Sequence, residues 1–391
     1  MVGAPERYGD YVVHESLGQG GMATVHRAEQ ALRNGTVREV ALKRLLPSLR
    51  KEMVSLFLDE ARLLRQLDHP NIAATFDSGR IFGTYFIAME YVRGPTLKEL
   101  VQHCALTVGS VPDAVTLHLA AQLCDALDHA HNRCDATGNP LGIIHRDVTP
   151  ANILISDQGM VKVIDFGLAK ATVSTERTSA GMIKGKFGYI APEYLVGKLD
   201  LRVDLWAVGI IMYELLTSRR LFDGSDNLDT MSRVRQMPIP RPSIANPAVT
   251  PDLDALVMRA LERDPDQRWQ TAAAMRDGIQ VVIERSGVRA EQRQVADWVR
   301  WVFDQKKGRP PQFTPIMAMP VVPQPLAPAL PPPPAPGFSA SSPAPASSPV
   351  PDPRRAVTLP IAPGNARNMW IIAGSAFLTL ILLMIILRMV T

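Results

Sequence analysis

Lys43 stands in VALK with apolar neighbours, and Glu60 follows in FLDEARLLRQLDHPNI, where apolar residues recur at helical spacing. A helix there can turn the Glu60 carboxylate back toward the amine, and such an ion pair holds a lysine against the α and β phosphates of a nucleotide. In HRDVTPANILI, Asp147 is followed five residues on by Asn152, and in IDFGLAK Asp165 lies thirteen residues beyond that. An aspartate so placed can orient a hydroxyl and accept its proton, while Asn152 and Asp165 can ligate magnesium. Residues 17–25 read LGQGGMATV, a glycine-rich turn. Gly18, Gly20 and Gly21 remove side chains so that backbone N–H groups can approach phosphates, and Val25 would cover an adenine.

These residues need a sheet followed by helices to bring them together. Strands are expected at 11–17, 24–30, 37–45 and 85–92, with two further short strands flanking the turn in ILISDQGMVKVIDF. Helices are expected at 53–67, 114–133 and 202–217, where apolar residues recur at three and four. Strands first and helices later predict a small sheet lobe and a larger helical lobe.

Composition agrees with one large globular unit and a tail of another kind. The chain has 391 residues, 46% hydrophobic, with a net charge of +4 that gathers into no long basic block, so nucleic acid is not an expected partner. Cys104, Cys124 and Cys134 lack metal or disulfide spacing and fit a reducing cytosol. No export signal opens the chain, so the first domain is expected to stay in the cytosol. Residues 284–309 predict a helical extension, with Val295, Trp298, Val299, Val302 and Phe303 at helical spacing. Residues 310–366 hold 19 of the chain's 33 prolines and read as a disordered, extended linker. Residues 369–387 are nineteen consecutive uncharged residues closed by Arg388, long enough for a single helix across a lipid bilayer. Arg354, Arg355 and Arg367 on the linker side favour a cytoplasmic linker, and the four residues beyond the span leave no room for an outside sensor.

In this order and spacing, the glycine loop, VALK, helix glutamate, HRD with its asparagine, DFG and APE resemble the eukaryotic-type (Hanks-type) protein kinases, particularly the bacterial serine/threonine enzymes. The resemblance covers residues 11–283. It implies an α+β bilobal fold, a small antiparallel β lobe on a larger helical one, and ATP and Mg2+ as cofactors. It implies that Lys43 pairs with Glu60, that Asp147 is the catalytic base, and that Asn152 and Asp165 hold the metal. Leu17, Gly18, Gly20, Gly21, Val25, Ala41, Glu90 and Val92 would bind the nucleotide, with Met89 behind the adenine. Glu193 of APE would pair with Arg268, and Asp204 would brace the catalytic loop. Protein substrates, self-phosphorylation between neighbouring copies and an inner-membrane, single-pass location with the kinase domain cytoplasmic complete the expectation.

The chain departs from the family pattern in one coupled pair. A lysine usually stands two residues after the catalytic aspartate, where this chain has Thr149. A threonine usually precedes the residues leading into APE, where this chain has Lys186. The exchange predicts that Lys186 supplies the missing charge as a catalytic residue, reaching in from the activation segment. Thr172, Ser174, Thr175, Thr178 and Ser179 are candidate self-phosphorylation sites, with Arg146 a basic partner for the phosphate. Two rival readings are a membrane-tethered pseudokinase scaffold, favoured by Thr149, and a small-molecule phosphotransferase, disfavoured by the APE motif.

Overall fold

A computed structural model of the chain describes residues 6–47, 49, 51–166, 186–197, 199–304 and 313. The proline-rich linker apart from Phe313, the apolar run 369–387 and the hydroxyls between 172 and 179 lie outside the described residues. Among the described residues no helix is long and apolar enough to cross a membrane.

Six strands form one antiparallel sheet: β1 (Glu6–Tyr8), β2 (Tyr11–Gln19), β3 (Ala23–Ala31), β4 (Val37–Leu45), β5 (Thr75–Ile81) and β6 (Thr84–Glu90), in the order β1-β2-β3-β4-β6-β5. The two that the alternation did not predict, β1 and β5, are the sheet's edges. The central strand β4 shows why Lys43 is where it is. Its side chains alternate between faces. Val40 and Leu42 pack with Tyr11, Val13, Ala28, Phe86 and Ala88 on one face. Ala41 and Leu45 pack with Ala23, Ile87, Met89 and the helix residues Phe57 and Ala61 on the other. Lys43 falls in the second set by period alone. Helix α1 (Lys51–Leu64) buries Phe57, Glu60, Ala61 and Leu64, a stripe at spacings of three and four that carries Glu60 to the sheet.

The helical lobe contains α2 (Leu97–Thr107), α3 (Asp113–His131), the hairpin β7 (Ile153–Ile155) and β8 (Val161–Val163), then α4 (Arg202–Thr217), α5 (Asn227–Gln236), α6 (Pro242–Ala245), α7 (Pro251–Ala260), α8 (Ala272–Ser286) and α9 (Gln292–Phe303). Helix α4 is buried from Val203 through Thr217, so it needs no polar face and forms the lobe's centre. Trp206 stacks on Phe222 there, ring centroids 5.9 Å apart. Helix α2 begins on a capping box in which the Thr96 hydroxyl accepts the Glu99 N–H and Glu99 Oε2 accepts the Thr96 N–H at 2.8 Å.

The extension at 284–309 finishes α8 and supplies α9, which joins the same core. Val295, Trp298, Val299 and Val302 are buried in it. Phe303, expected with them, is instead partly exposed and stacks on His103 of α2 at 4.7 Å. The turn between β7 and β8 lies directly beneath α9. A Cβ on Gly159 (φ +79°) would stand 2.2 Å from the Gln292 carbonyl oxygen, so only glycine fits.

Candidate active site

The Lys43 ammonium lies 2.8 Å from Glu60 Oε1 and 2.8 Å from Asp165 Oδ1. Lys43 and Glu60 are buried while Asp165 is partly open at the cleft. Burial opposes the charged form of Lys43, yet the Asp165 and Glu60 carboxylates outweigh it and hold the amine above its ordinary pKa. Burial likewise opposes ionised Asp165, and the Lys43 charge overcomes it, leaving that carboxyl below its usual range. The three side chains therefore hold a fixed ammonium between two carboxylates, a rigid contact for a polyphosphate.

The second cluster forms on the loop between α3 and β7. Asn152 donates its amide to the Asp147 carbonyl at 2.9 Å and to Asp147 Oδ2 at 3.1 Å. With the amide nitrogen committed, the Asn152 oxygen is left as its ligating atom. His145 bridges this loop to the strand end: its Nδ1 accepts the Asp147 N–H at 3.3 Å, its Nε2 is 3.2 Å from the Ile164 carbonyl, and its ring lies on Phe166. Burial pushes the His145 pKa down.

Two residues here hold left-handed backbone that is rare outside glycine, Arg146 (φ 62°) and Asp165 (φ 54°). Asp204, from α4, supports the first. Its Oδ2 accepts the His145 N–H at 2.8 Å and contacts His131 Nε2 at 2.9 Å, and its Oδ1 accepts the Arg146 N–H at 2.8 Å. Burial opposes the Asp204 charge, and His131 and the loop hydrogen bonds keep it ionised, below the ordinary pKa. Sequence reasoning missed His131, because nothing in DALDHAHNR names a partner 73 residues away.

Lys186 reaches the same cluster. Its Nζ lies 2.9 Å from Asp147 Oδ2, and Thr149 is buried beside them with no hydrogen-bond partner for its hydroxyl among the described residues. Lys186 immediately precedes the turn Phe187–Tyr189, and its carbonyl accepts the Tyr189 N–H at 3.2 Å. Phe187 is buried, and Gly188 is pressed so close to the Phe222 carbonyl that a Cβ would sit 2.7 Å from it. Beyond that turn, Arg268, fully buried, donates to both Glu193 oxygens at 2.6 and 2.8 Å.

The glycine loop passes a separate test for a phosphate cradle. A Cβ on Gly18 or Gly21 would meet nothing within 4 Å, and one on Gly20 would come only to 3.8 Å of the Ala23 carbonyl. The fold itself does not demand these glycines, so the space above them suits close approach by a ligand. Val25, Ala41 and Met89 share one apolar cluster under that loop. Val92 is buried nearby in sequence, and Leu17 is exposed at the rim. The Glu90 carboxylate accepts from Lys162 at 2.8 Å and from the Ala74 N–H at 3.2 Å. Its side chain is thus used within the fold, leaving the backbone for any nucleotide contact. Among the described residues no three His, Cys, Asp or Glu side chains form a metal-holding group. Asn152 with Asp165 is instead a sparse pair of oxygen donors of the kind a hard divalent cation takes.

A family model described as a protein kinase domain matches residues 11–278. Among curated proteins, the chain is similar to the tyrosine-protein kinase MasK of Myxococcus xanthus, 36% identical over 279 residues that cover 71% of this chain and 43% of the relative. It is also similar to the serine/threonine-protein kinase PknB of Mycobacterium leprae, 37% identical over 285 residues, 71% of this chain and 43% of that one. A third relative, the serine/threonine-protein kinase PrkC of Bacillus subtilis, is 35% identical over 71% of this chain and 41% of its own length. The chain thus spans less than half the length of these relatives. Among solved structures, a variant of the Mycobacterium tuberculosis PknI kinase domain superposes with a TM-score of 0.54 at 26% identity, covering 72% of this chain and 98% of that one.

Proposed function

The chain belongs to the protein kinase family, and on that premise we propose that it transfers the γ-phosphate of ATP to serine and threonine hydroxyls of proteins, itself included. The single observation that carries this reading is the Lys43 ammonium fixed 2.8 Å from both Glu60 and Asp165, beside a loop that presents Asp147 and Asn152. In this reading Lys43 steadies the α and β phosphates and the open glycine loop covers them. Asp147 orients the acceptor hydroxyl and takes its proton as the oxygen bonds to the γ-phosphorus and the bond to the bridging oxygen breaks. Asn152 and Asp165 would hold a divalent cation, magnesium in our proposal, which when bound neutralises charge on the phosphates. Incubation with γ-labelled ATP should label the chain or a generic protein substrate. Asp147→Asn should abolish labelling, and equal labelling by that variant would sink the proposal.

Tyrosine is a second acceptor to be tested, favoured by Thr149 in the catalytic loop and by the name of the Myxococcus xanthus relative. Mass spectrometry of the autophosphorylated chain decides between phosphoserine, phosphothreonine and phosphotyrosine. We further propose that residues 369–387 anchor the chain once in the inner membrane, with the kinase domain cytoplasmic and neighbouring copies phosphorylating one another. Full-length protein should then stay with membranes after alkaline washing, and removal of 369–387 should release it.

A further inference from the structure

We propose that Lys186 is the cation that meets the transferring phosphoryl group in this chain, and that Thr149 marks the place on the catalytic loop from which that charge is missing. The inference rests on the kinase reading and deepens it.

Phosphoryl transfer spreads negative charge over the equatorial oxygens of the moving group, and its catalysis is mostly positioning and electrostatics. A fixed ammonium beside the base is therefore the group with most to contribute. Lys186 Nζ is 2.9 Å from Asp147 Oδ2, the same oxygen that Asn152 touches. A small cleft separates the two sides of this contact, lined by Arg146, Asp147 and Thr149 from the catalytic loop and by Lys186, Tyr189 and Tyr194 from the segment leading to α4. Thr149, a neutral hydroxyl buried in that wall without a partner among the described residues, offers the phosphoryl group no charge.

The position of Lys186 is held from behind. Phe187 is buried and Gly188 abuts the Phe222 carbonyl, so the backbone just after Lys186 is wedged against the helical lobe. Its side chain remains partly exposed at the cleft, so the ammonium beside Asp147 is open to an incoming γ-phosphate. Lys186 donates hydrogen bonds and contributes charge. The hydroxyl proton still goes to Asp147, and ADP leaves with the electron pair of the broken bond to the γ-phosphorus.

A second lysine placed at 149 would set two ammonium groups around one carboxylate in a largely buried cleft, where like charges repel strongly. The two positions should therefore show sign epistasis. Lys186→Thr is expected to lower kcat about 100-fold, the usual effect of removing one transition-state donor. Thr149→Lys alone is expected to lower activity as well, and the double variant Thr149→Lys with Lys186→Thr to recover at least about tenfold over Lys186→Thr.

The experiment measures peptide phosphorylation and slow ATP hydrolysis for the full chain and these three variants, with unfolding midpoints as a folding control. If Lys186 acts on the phosphoryl group, both reactions fall together while KM for ATP changes by less than about threefold. The inference is overturned if Lys186→Thr keeps full kcat, if only peptide KM changes, or if the folded double variant is no better than Lys186→Thr. Wild-type chain that transfers no phosphate to protein or water would overturn the kinase reading itself, a separate result.

Discussion

Asp204 Oδ1 accepts the backbone N–H of Arg146 at 2.8 Å, and Arg146 is one of four non-glycine residues in the described chain with positive φ. A carboxylate on the central helix thus fixes the peptide that precedes Asp147. Asp204→Asn presents an amide that can satisfy only part of this set, since one side now donates toward donors. The loss should be about 2–4 kcal/mol of stability, with phosphotransfer reduced at least about tenfold. Urea unfolding together with a kinase assay checks both. Unchanged stability would mean that the loop holds its left-handed turn unaided.

Burial shifts His69, His118, His129 and His145 to lower pKa in the folded chain. Each is then neutral when folded at a pH where the unfolded chain binds a proton. Their contribution is complete above the unfolded value near about 6.5 and is lost as pH falls toward the folded values. Stability should therefore decline from about pH 7 to about pH 5, each histidine adding a slope of up to about 1.4 kcal/mol per pH unit. His118→Gln should flatten the decline, because His118 lies against the Ala290 carbonyl at 3.0 Å and is shifted mainly by its burial. Denaturant midpoints across that range provide the measurement, and a slope unaffected by the substitution would contradict the assignment.

Gly159→Val should loosen α9. The new side chain would collide with the Gln292 carbonyl and the Ala296 N–H, and φ +79° is strained for any β-branched residue. A cost of about 2–4 kcal/mol is expected, with faster amide exchange confined first to residues 292–303. Gly138→Ala, at φ +89° in open space, is the control and should cost only about 1–2 kcal/mol of backbone strain. Equal losses in the two variants would show that α9 is not held through this turn.

Much of the scaffold was legible because period decides burial. The alternation of β4 alone assigns Lys43 to the helix-facing side, and the three-four stripe of α1 assigns Glu60 opposite it. The edge strands were not legible: β1 has three residues, and β5 reads TFDSGRI, with Asp, Ser and Gly where a central strand would carry apolar side chains. Helix α2 was also passed over, although Thr96 and Glu99 spell its capping box. Around the site, sequence order located Lys43, Glu60, Asp147, Asn152 and Asp165 more readily than the polar partners that position their neighbours. His131 on Asp204, Lys162 on Glu90 and Gln122 on Asn71 are long-range polar pairs whose partners no local pattern specifies. Lys186 was visible only because two residue types stood in each other's places.

Helix α9 lies against α2, the Gly159 turn and the Ala290 segment that His118 touches, and His118 continues through Gln122 to Asn71, just before the strand-like bridge of Ile72 with Val163. Tension applied to the chain beyond Asp304 would accordingly be delivered as shear on the helical lobe, across α2 and the β7–β8 hairpin. The load would reach the root of the segment ending in Asp165 before it reached the sheet that holds Lys43. A pull from that side would act on the spacing between Asp165 and the Lys43–Glu60 pair.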